Sequence, residues 1–188
     1  MKAAILWGSV TGSTEEAART LHRELSDLVE VCEDVSHFPG ERVREFDVVF
    51  IGVSTWNCGD LQYDWADRLD DLSDADWSGR TVAFFGGGDA LGYPDTFVDS
   101  FGILWDVLEE RGARLIGKWP RDGYDFVASK ALCSDGRHLL GLPIDDDNQP
   151  ELTDARLQSW AQQVRGELRE LGFSVETNGH ATEPSPLP

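Results

Sequence analysis

The chain has 188 residues and a formal net charge of −19, from 35 acidic and 16 basic side chains. That balance argues against binding nucleic acid or an anionic membrane surface, since both need clustered Lys and Arg. It suits a soluble protein that meets basic partners, although solubility alone or a salt-adapted source would give the same composition.

Hydrophobic residues make up 40% of the chain, enough for one domain with a substantial core. Residues Ala3–Trp7 read as a buried strand. This run is too short for the apolar core of a signal peptide, and Gly8 to Gly12 interrupt it. Ala17, Leu21, Leu25 and Leu28 then recur at helical spacing. Residues 29–35 form a second strand, with Val29, Val31 and Val35 among acids. Residues 46–53 (FDVVFIGV) are continuously apolar, as a strand covered on both faces should be, and 81–85 are another such run. A helix is expected from about Thr96 to Arg111, with Phe97, Phe101, Leu104 and Leu108 on one face and Gly112 at its end.

Leu115 and Ile116 begin a further strand, and 139–144 read as one more. The residues between Ile116 and Leu139 fit no simple strand–helix–strand unit and read as an insertion that splits the last strand. Tyr124 and Phe126 within it have two readings, as anchors for a docking partner or as side chains packed on the core. The last helix takes Thr153 as its N-cap, with Leu157, Trp160, Val164 and Leu168 as its buried stripe. From about Phe173 the chain is rich in Pro, Thr, Ser and Glu. The expected division is therefore a domain over 1–171 and a disordered tail over 172–188. No segment is long enough to span a bilayer. The three cysteines, Cys32, Cys58 and Cys133, form no CxxC pair, so neither a zinc knuckle nor a catalytic dithiol is indicated. Their odd number suits a reducing compartment, and a cytoplasmic monomer is the expectation.

Strands alternating with helices predict a mostly parallel sheet with helices on both faces. Ligands of such sheets sit at the carboxyl ends of the strands, which directs attention to three loops. The first, Gly8 to Thr14, offers a helix N-terminus and the hydroxyls of Ser9, Thr11, Ser13 and Thr14, a setting for an anion. It lacks the lysine of a P-loop and the glycine spacing of a dinucleotide fingerprint, which leaves a terminal monophosphate held by neutral donors. The second, Ser54 to Leu61, places Trp56 at a strand end as a stacking plane for a flat heterocycle, with Gly59 leaving the turn permissive. The third, Gly86 to Tyr93, allows close backbone approach and adds the aromatic face of Tyr93. Each loop alone could be a capping turn or an ordinary surface loop. All three falling after strands one, three and four favours a shared site.

These residues resemble the flavodoxin family. GSVTGSTEEAA is similar to its phosphate signature, and STWNCGDLQYDW and GGGDALGYPDTFVDSFGIL to its two flavin loops. DGYDFVASKAL and GLPIDDDNQPELTDARLQSW resemble the long-chain members, which carry an insertion near the last strand. The resemblance covers about residues 1–171. It implies a flavodoxin-like, doubly wound α/β fold with a five-stranded parallel sheet in the order 2-1-3-4-5. The family is itself the standing illustration of that order, so the placement comes with the resemblance. It also implies non-covalent FMN. Ser9, Val10, Thr11, Gly12, Ser13 and Thr14 would wrap the phosphate. Tyr93 would stack on the outer face of the ring and Trp56 on the inner face. Thr55, Asn57, Cys58, Gly59, Gly88 and Asp89 would follow its polar edge, and Asp147 would meet the ribityl chain.

Two departures stand out. Ser9 replaces the more usual threonine and keeps the hydroxyl. Cys58 stands where the family more often has Gly or an aliphatic residue, in a turn whose peptide reorients as the flavin is reduced. A side chain there should hinder that movement. A bland alternative is that Cys58 is only a small rim residue.

The implied function is low-potential, one-electron transfer by a carrier and not an enzyme, since FMN holds the redox chemistry. Asp60, Asp64, Asp67, Asp70, Asp71, Asp74 and Asp76, opposed only by Arg68, would repel an anionic reduced flavin and steer basic-surfaced redox proteins. Such partners include an NADPH-dependent reductase as donor. Acceptors could be nitrogenase, a cytochrome P-450 or the activator of a radical enzyme. The alternative is an FMN-dependent quinone or nitro reductase of the same fold, for which the sequence offers no nicotinamide site. A response-regulator receiver would need an acidic cluster after strand one and a phosphoacceptor Asp after strand three. Trp7-Gly8-Ser9 and Ser54-Thr55-Trp56 stand there instead.

Overall fold

A computed structural model of the chain describes residues 1–175. In chain order its strands are β1 (Ala3–Trp7), β2 (Val29–Asp34), β3 (Val48–Gly52), β4 (Thr55–Trp56), β5 (Asp60–Leu61), β6 (Thr81–Gly87), β7 (Arg114–Leu115), β8 (Trp119–Pro120), β9 (His138–Leu139) and β10 (Gly141–Ile144). The helices are α1 (Ser13–Glu24), α2 (Tyr63–Asp74), α3 (Asp99–Glu110) and α4 (Thr153–Glu170).

The continuous apolar runs become the centre of the sheet because both of their faces are covered. Ala4, Leu6, Val49, Ile51, Val82 and Phe84 point to one core, with Trp65 and Leu72 of α2 and Phe101, Leu104 and Leu108 of α3. Their neighbours Ala3, Ile5, Val48, Phe50, Ala83 and Phe85 point to the other, with Leu21 of α1 and Leu157, Trp160, Val164 and Leu168 of α4. Alternation along a strand then sorts residues between two cores rather than between core and water.

The strand order is β10-β6-β3-β1-β2, with every neighbouring pair parallel. This is the expected order, with the fifth position shared by two pieces. β7 pairs with the start of β6 (Thr81↔Arg114, Val82↔Leu115), and β10 takes over further along the same edge (Phe84↔Gly141 to Gly87↔Ile144). The chain between them leaves and returns, carrying the small antiparallel pair β8–β9. Its aromatics are packed rather than offered to solvent. Tyr124 and Phe126 are buried, with ring centres 5.4 and 5.2 Å from that of Phe97, and the Tyr124 hydroxyl donates to the Pro143 carbonyl at 2.8 Å.

Helix α2 is the element that apolar periodicity leaves out. Only Trp65, Leu69 and Leu72 face the core between Asp64, Asp67, Asp70, Asp71 and Asp74, and Gln62 caps the helix by accepting the Trp65 N–H at 3.2 Å. Helix α3 starts at Asp99 rather than near Thr96, because Val98 holds a left-handed φ of 48°. It ends as expected before Gly112, at φ 84°, where the Ala113 N–H closes back on Leu108 O at 3.0 Å. Helix α1 ends at Glu24, and Leu25 and Leu28 extend its buried stripe through the following turn. Thr153 is not an N-cap. It is the first helical residue, and its hydroxyl lies 2.6 Å from Asp146 Oδ1, as donor. The packed body also runs past Leu171, since Phe173 and Val175 lie against the second core. The rest of the expected tail, 176–188, is outside the described residues.

One buried charge ties α4 to the turn after α1. The Arg165 guanidinium is 6% exposed and donates to both Asp27 oxygens and to Glu24 O. Its hydrogen bond holds the Asp27 carboxyl below its usual range. A carboxyl held low in the folded state stabilises above its unfolded value and loses that contribution as pH falls through the folded one, here below about pH 4. Asp27→Asn is expected to cost about 3 kcal/mol at neutral pH, because it strands the buried guanidinium. Urea unfolding at pH 7 and pH 3 checks this, and the difference between variant and wild type should shrink at the lower pH.

Candidate functional site

The three loops meet at the carboxyl edge of the sheet, where β1, β3 and β6 end. There an open cleft of about 200 Å³ is lined by Thr11, Ser13 and Thr14 from the first loop. Ser54, Thr55, Trp56 and Asn57 come from the second, and Gly87, Gly88, Asp89 and Tyr93 from the third. Thr96, Phe97 and Val98 close one wall, and Ile144, Asp146 and Asp147 another.

Each wall follows from its local sequence. Gly12 is the N-cap of α1 and brings no side-chain cap, so the amides of the first turn, at Ser13, Thr14 and Glu15, are left without a protein acceptor. Beside them stand the hydroxyls of Thr11, Ser13 and Thr14. The lining contains no Lys or Arg. This end therefore presents neutral donors and the positive end of a helix dipole.

The second loop is a hairpin, β4 with β5, closed by the Gly59 N–H on Trp56 O at 3.1 Å, with Asn57 at φ 48°. Asparagine tolerates that conformation better than most residues. The hairpin is pinned to the start of α3. The Thr55 hydroxyl lies 2.8 Å from Ser100 Oγ, and the Ser100 N–H donates to Thr55 Oγ1 at 3.1 Å. Trp56 donates its ring N–H to Ser54 Oγ at 3.0 Å, and its ring centre is 6.1 Å from that of Tyr63.

The third loop folds around Asp89. Its Oδ1 accepts the Gly92 N–H at 2.6 Å and the Asn148 amide at 2.9 Å, and the Asn148 bond, reinforced by the Gly92 N–H, holds this carboxyl below its ordinary range. Behind it lies Asp145, 1% exposed, whose carboxyl is pushed up by burial. Tyr93 stands half exposed at the mouth of the cleft.

Of the residues expected from the sequence, the cleft gathers Thr11, Ser13, Thr14, Thr55, Trp56, Asn57, Gly88, Asp89, Tyr93 and Asp147. Ser9, Val10, Gly12, Cys58 and Gly59 stand back from it. Ser9 Oγ accepts the Gly12 N–H at 3.0 Å and so shapes the loop from behind. Val10 and Cys58 point into solvent. Gly59 faces α3, where a Cβ would lie 2.9 Å from Asp99 Oδ2. Sequence reasoning missed Thr96, Phe97, Val98, Ile144 and Asp146, and within the loops it named it singled out neither Ser54 nor Gly87. Reading Thr96–Val98 as helix hid the first three, and the alternation of Ile144 and Asp146 around buried Asp145 gave no separate signal.

A family model described as Flavodoxin matches residues 5–160. A flavodoxin of Picosynechococcus sp. is 45% identical over 166 residues, covering 87% of this chain and 96% of that protein. Flavodoxin 1 of Escherichia coli K12 is 40% identical over 164 residues, 87% of this chain and 93% of its own. Among solved structures, Fusobacterium nucleatum flavodoxin bound to flavin mononucleotide superposes with a TM-score of 0.81 at 22% identity, over 88% of this chain and 98% of that one. Flavodoxin 1 of Bacillus cereus does so with a TM-score of 0.64 at 25% identity, over 88% and 98%.

Proposed function

This chain belongs to the flavodoxin family, and from that premise we propose that its cleft holds FMN non-covalently and that the protein carries electrons one at a time at low potential. It is an electron-transfer protein and not an enzyme. The observation that carries this reading is the pairing of two unlike ends in one cleft. The uncapped first turn of α1 and its three hydroxyls suit a phosphate, while Trp56 and Tyr93 suit a flat ring. The residues fit the group at a third point. Gly87 lies in the lining, and a Cβ there would only reach ordinary contact with Ser54, at 3.5 Å, so the backbone is bare toward the cleft.

When bound, FMN supplies the redox chemistry, and the chain supplies position and field. Ser13, Thr14 and Glu15 amides hold the phosphate without cationic side chains. Trp56 and Tyr93 exclude water from the ring, and the low local dielectric disfavours added negative charge there. Asp146 and Asp147 in the lining, with Asp60 and the acids of α2, act in the same direction. Both effects make the reduced protein a strong donor.

The same acids support steering of basic-surfaced redox proteins toward the half-exposed Tyr93, with a reductase as donor. Such steering falls as salt rises. A monomer in the cytoplasm fits this role, and among the described residues no helix is long and apolar enough to cross a membrane.

Stepwise anaerobic reduction of the FMN-loaded protein tests the proposal. Two resolved one-electron steps are expected, the second at low potential. Direct two-electron bleaching with NADPH turnover would favour the reductase instead. The turn at Cys58 adds a second outcome. Its neighbour Asn57 takes the left-handed conformation, and Cys58 does not. A side chain at Cys58 therefore restrains any reorientation of the peptide between them. Cys58→Gly is expected to raise the yield of the one-electron-reduced protein, and an unchanged yield in a spectroscopic redox titration removes this role.

A further inference from the structure

Asn148 is outside the cleft lining, yet its side-chain amide spends both of its hydrogens on the same piece of the site. Nδ2 lies 2.7 Å from Asp145 Oδ1 and 2.9 Å from Asp89 Oδ1. Asp145 is buried, and its other oxygen accepts the Ala90 N–H at 3.4 Å. Asp89 Oδ1 also accepts the Gly92 N–H. Gly88 N–H donates to Ile144 O at 3.0 Å, which ties the start of the third loop to the segment that begins at Ile144, and the Tyr93 N–H closes the far end of the loop on Asp89 O at 3.0 Å. The loop encloses Asp89 so closely that a Cβ at Gly92 would lie 2.7 Å from its carboxyl carbon.

Two acidic side chains so placed would repel each other without a donor between them. Asp145 cannot turn to water, and the amide bridges them instead. Asp89 itself lines the cleft, and its own N–H is engaged by no carbonyl or side chain of the described residues. We propose that Asn148 is a positioning residue for this loop: by bridging buried Asp145 to Asp89 it fixes the Asp89 backbone amide, and with it Tyr93, against the ring of the bound ligand. The proposal rests on the flavin reading above and deepens it, since it assigns the ring end of the cleft a clamp separate from the phosphate end.

The separation supplies the test. FMN and riboflavin share the ring, and riboflavin lacks the phosphate. Dissociation constants for both would be measured by fluorescence quenching on wild type and on Asn148→Leu, together with the visible spectrum of the bound ligand. Asn148→Leu is expected to weaken both ligands by about the same factor, about tenfold or more for two lost hydrogen bonds to carboxylates, and to shift the visible band of the bound ring. Asn148→Ser keeps one hydroxyl donor in a smaller volume and guards against a folding defect. It should lose about fivefold for both ligands, one ordinary hydrogen bond. Unchanged affinities with an unchanged spectrum overturn the proposal, as does a loss confined to FMN. A wild-type protein that binds neither ligand would overturn the flavin reading instead.

Discussion

Ser13→Asp is expected to weaken FMN binding about a thousandfold while leaving the empty protein as stable as wild type or more so. Ser13 is the first residue of α1 and lines the cleft beside Thr14 and Thr11. A carboxylate in the first turn interacts favourably with the helix dipole, by about 0.3–1 kcal/mol. The same carboxylate would face the phosphate. Two unit charges 4 Å apart at an effective dielectric constant of 20 repel by about 4 kcal/mol, or about three powers of ten in affinity. Opposite signs for stability and binding separate a ligand effect from a folding defect. Thermal melting of the apo-protein and titration with FMN measure the two. Riboflavin affinity should be unchanged, because nothing at its terminal hydroxyl carries the charge.

The second large effect is on the fold, at the point where the sheet opens into the cleft. Gly86 has φ 152°, and a Cβ there would lie 2.6 Å from the Val53 carbonyl carbon and closer still to its oxygen. The obstacle is backbone, which no side-chain rotation can move. Gly86→Ala would force β6 away from the end of β3, where Phe84 and Phe85 pair with Ile51 and Gly52. Both phenylalanines are fully buried, one in each core. The expected cost is about 4 kcal/mol or more, in the range of severe backbone and overpacking defects. Urea unfolding should show the midpoint falling by a large fraction of its wild-type value. A change below about 1 kcal/mol would mean that the strands separate easily at this edge.

The sheet was legible because its central strands advertise themselves: 48–53 and 82–85 are apolar without interruption, as strands covered on both faces should be. The insertion showed as a stretch without periodicity, and the split of the fifth strand into β7 and β10 follows from it. Helix α2 was not legible, since three core-facing residues among five aspartates give too narrow an apolar stripe. Its cap, Gln62, is not a common N-cap residue. Of the lining residues, those carried by the hydroxyl, glycine and aromatic motifs include Thr11, Ser13, Thr14, Trp56, Gly88 and Tyr93, whereas Ser9, Gly12 and Gly59 of the same motifs stand back from the cleft. Lining residues placed by tertiary geometry were missed. Val98 enters the lining because it is left-handed at the start of α3, a conformation that a valine does not announce. Asp145 and Asn148 sit in an acidic run where nothing in the sequence distinguishes the buried carboxylate from its exposed neighbours. Thr153 misled for a related reason: its hydroxyl serves Asp146 of the cleft wall and not its own helix.

The central claim is that this cleft is built for FMN, phosphate at α1 and ring between Trp56 and Tyr93. Titration of the refolded apo-protein into FMN, followed by flavin fluorescence, tests it most directly. The account predicts one FMN per chain, bound tightly and strongly quenched by the flanking aromatic rings, with markedly weaker binding of riboflavin. FMN fluorescence that persists unchanged through an excess of folded protein would contradict it.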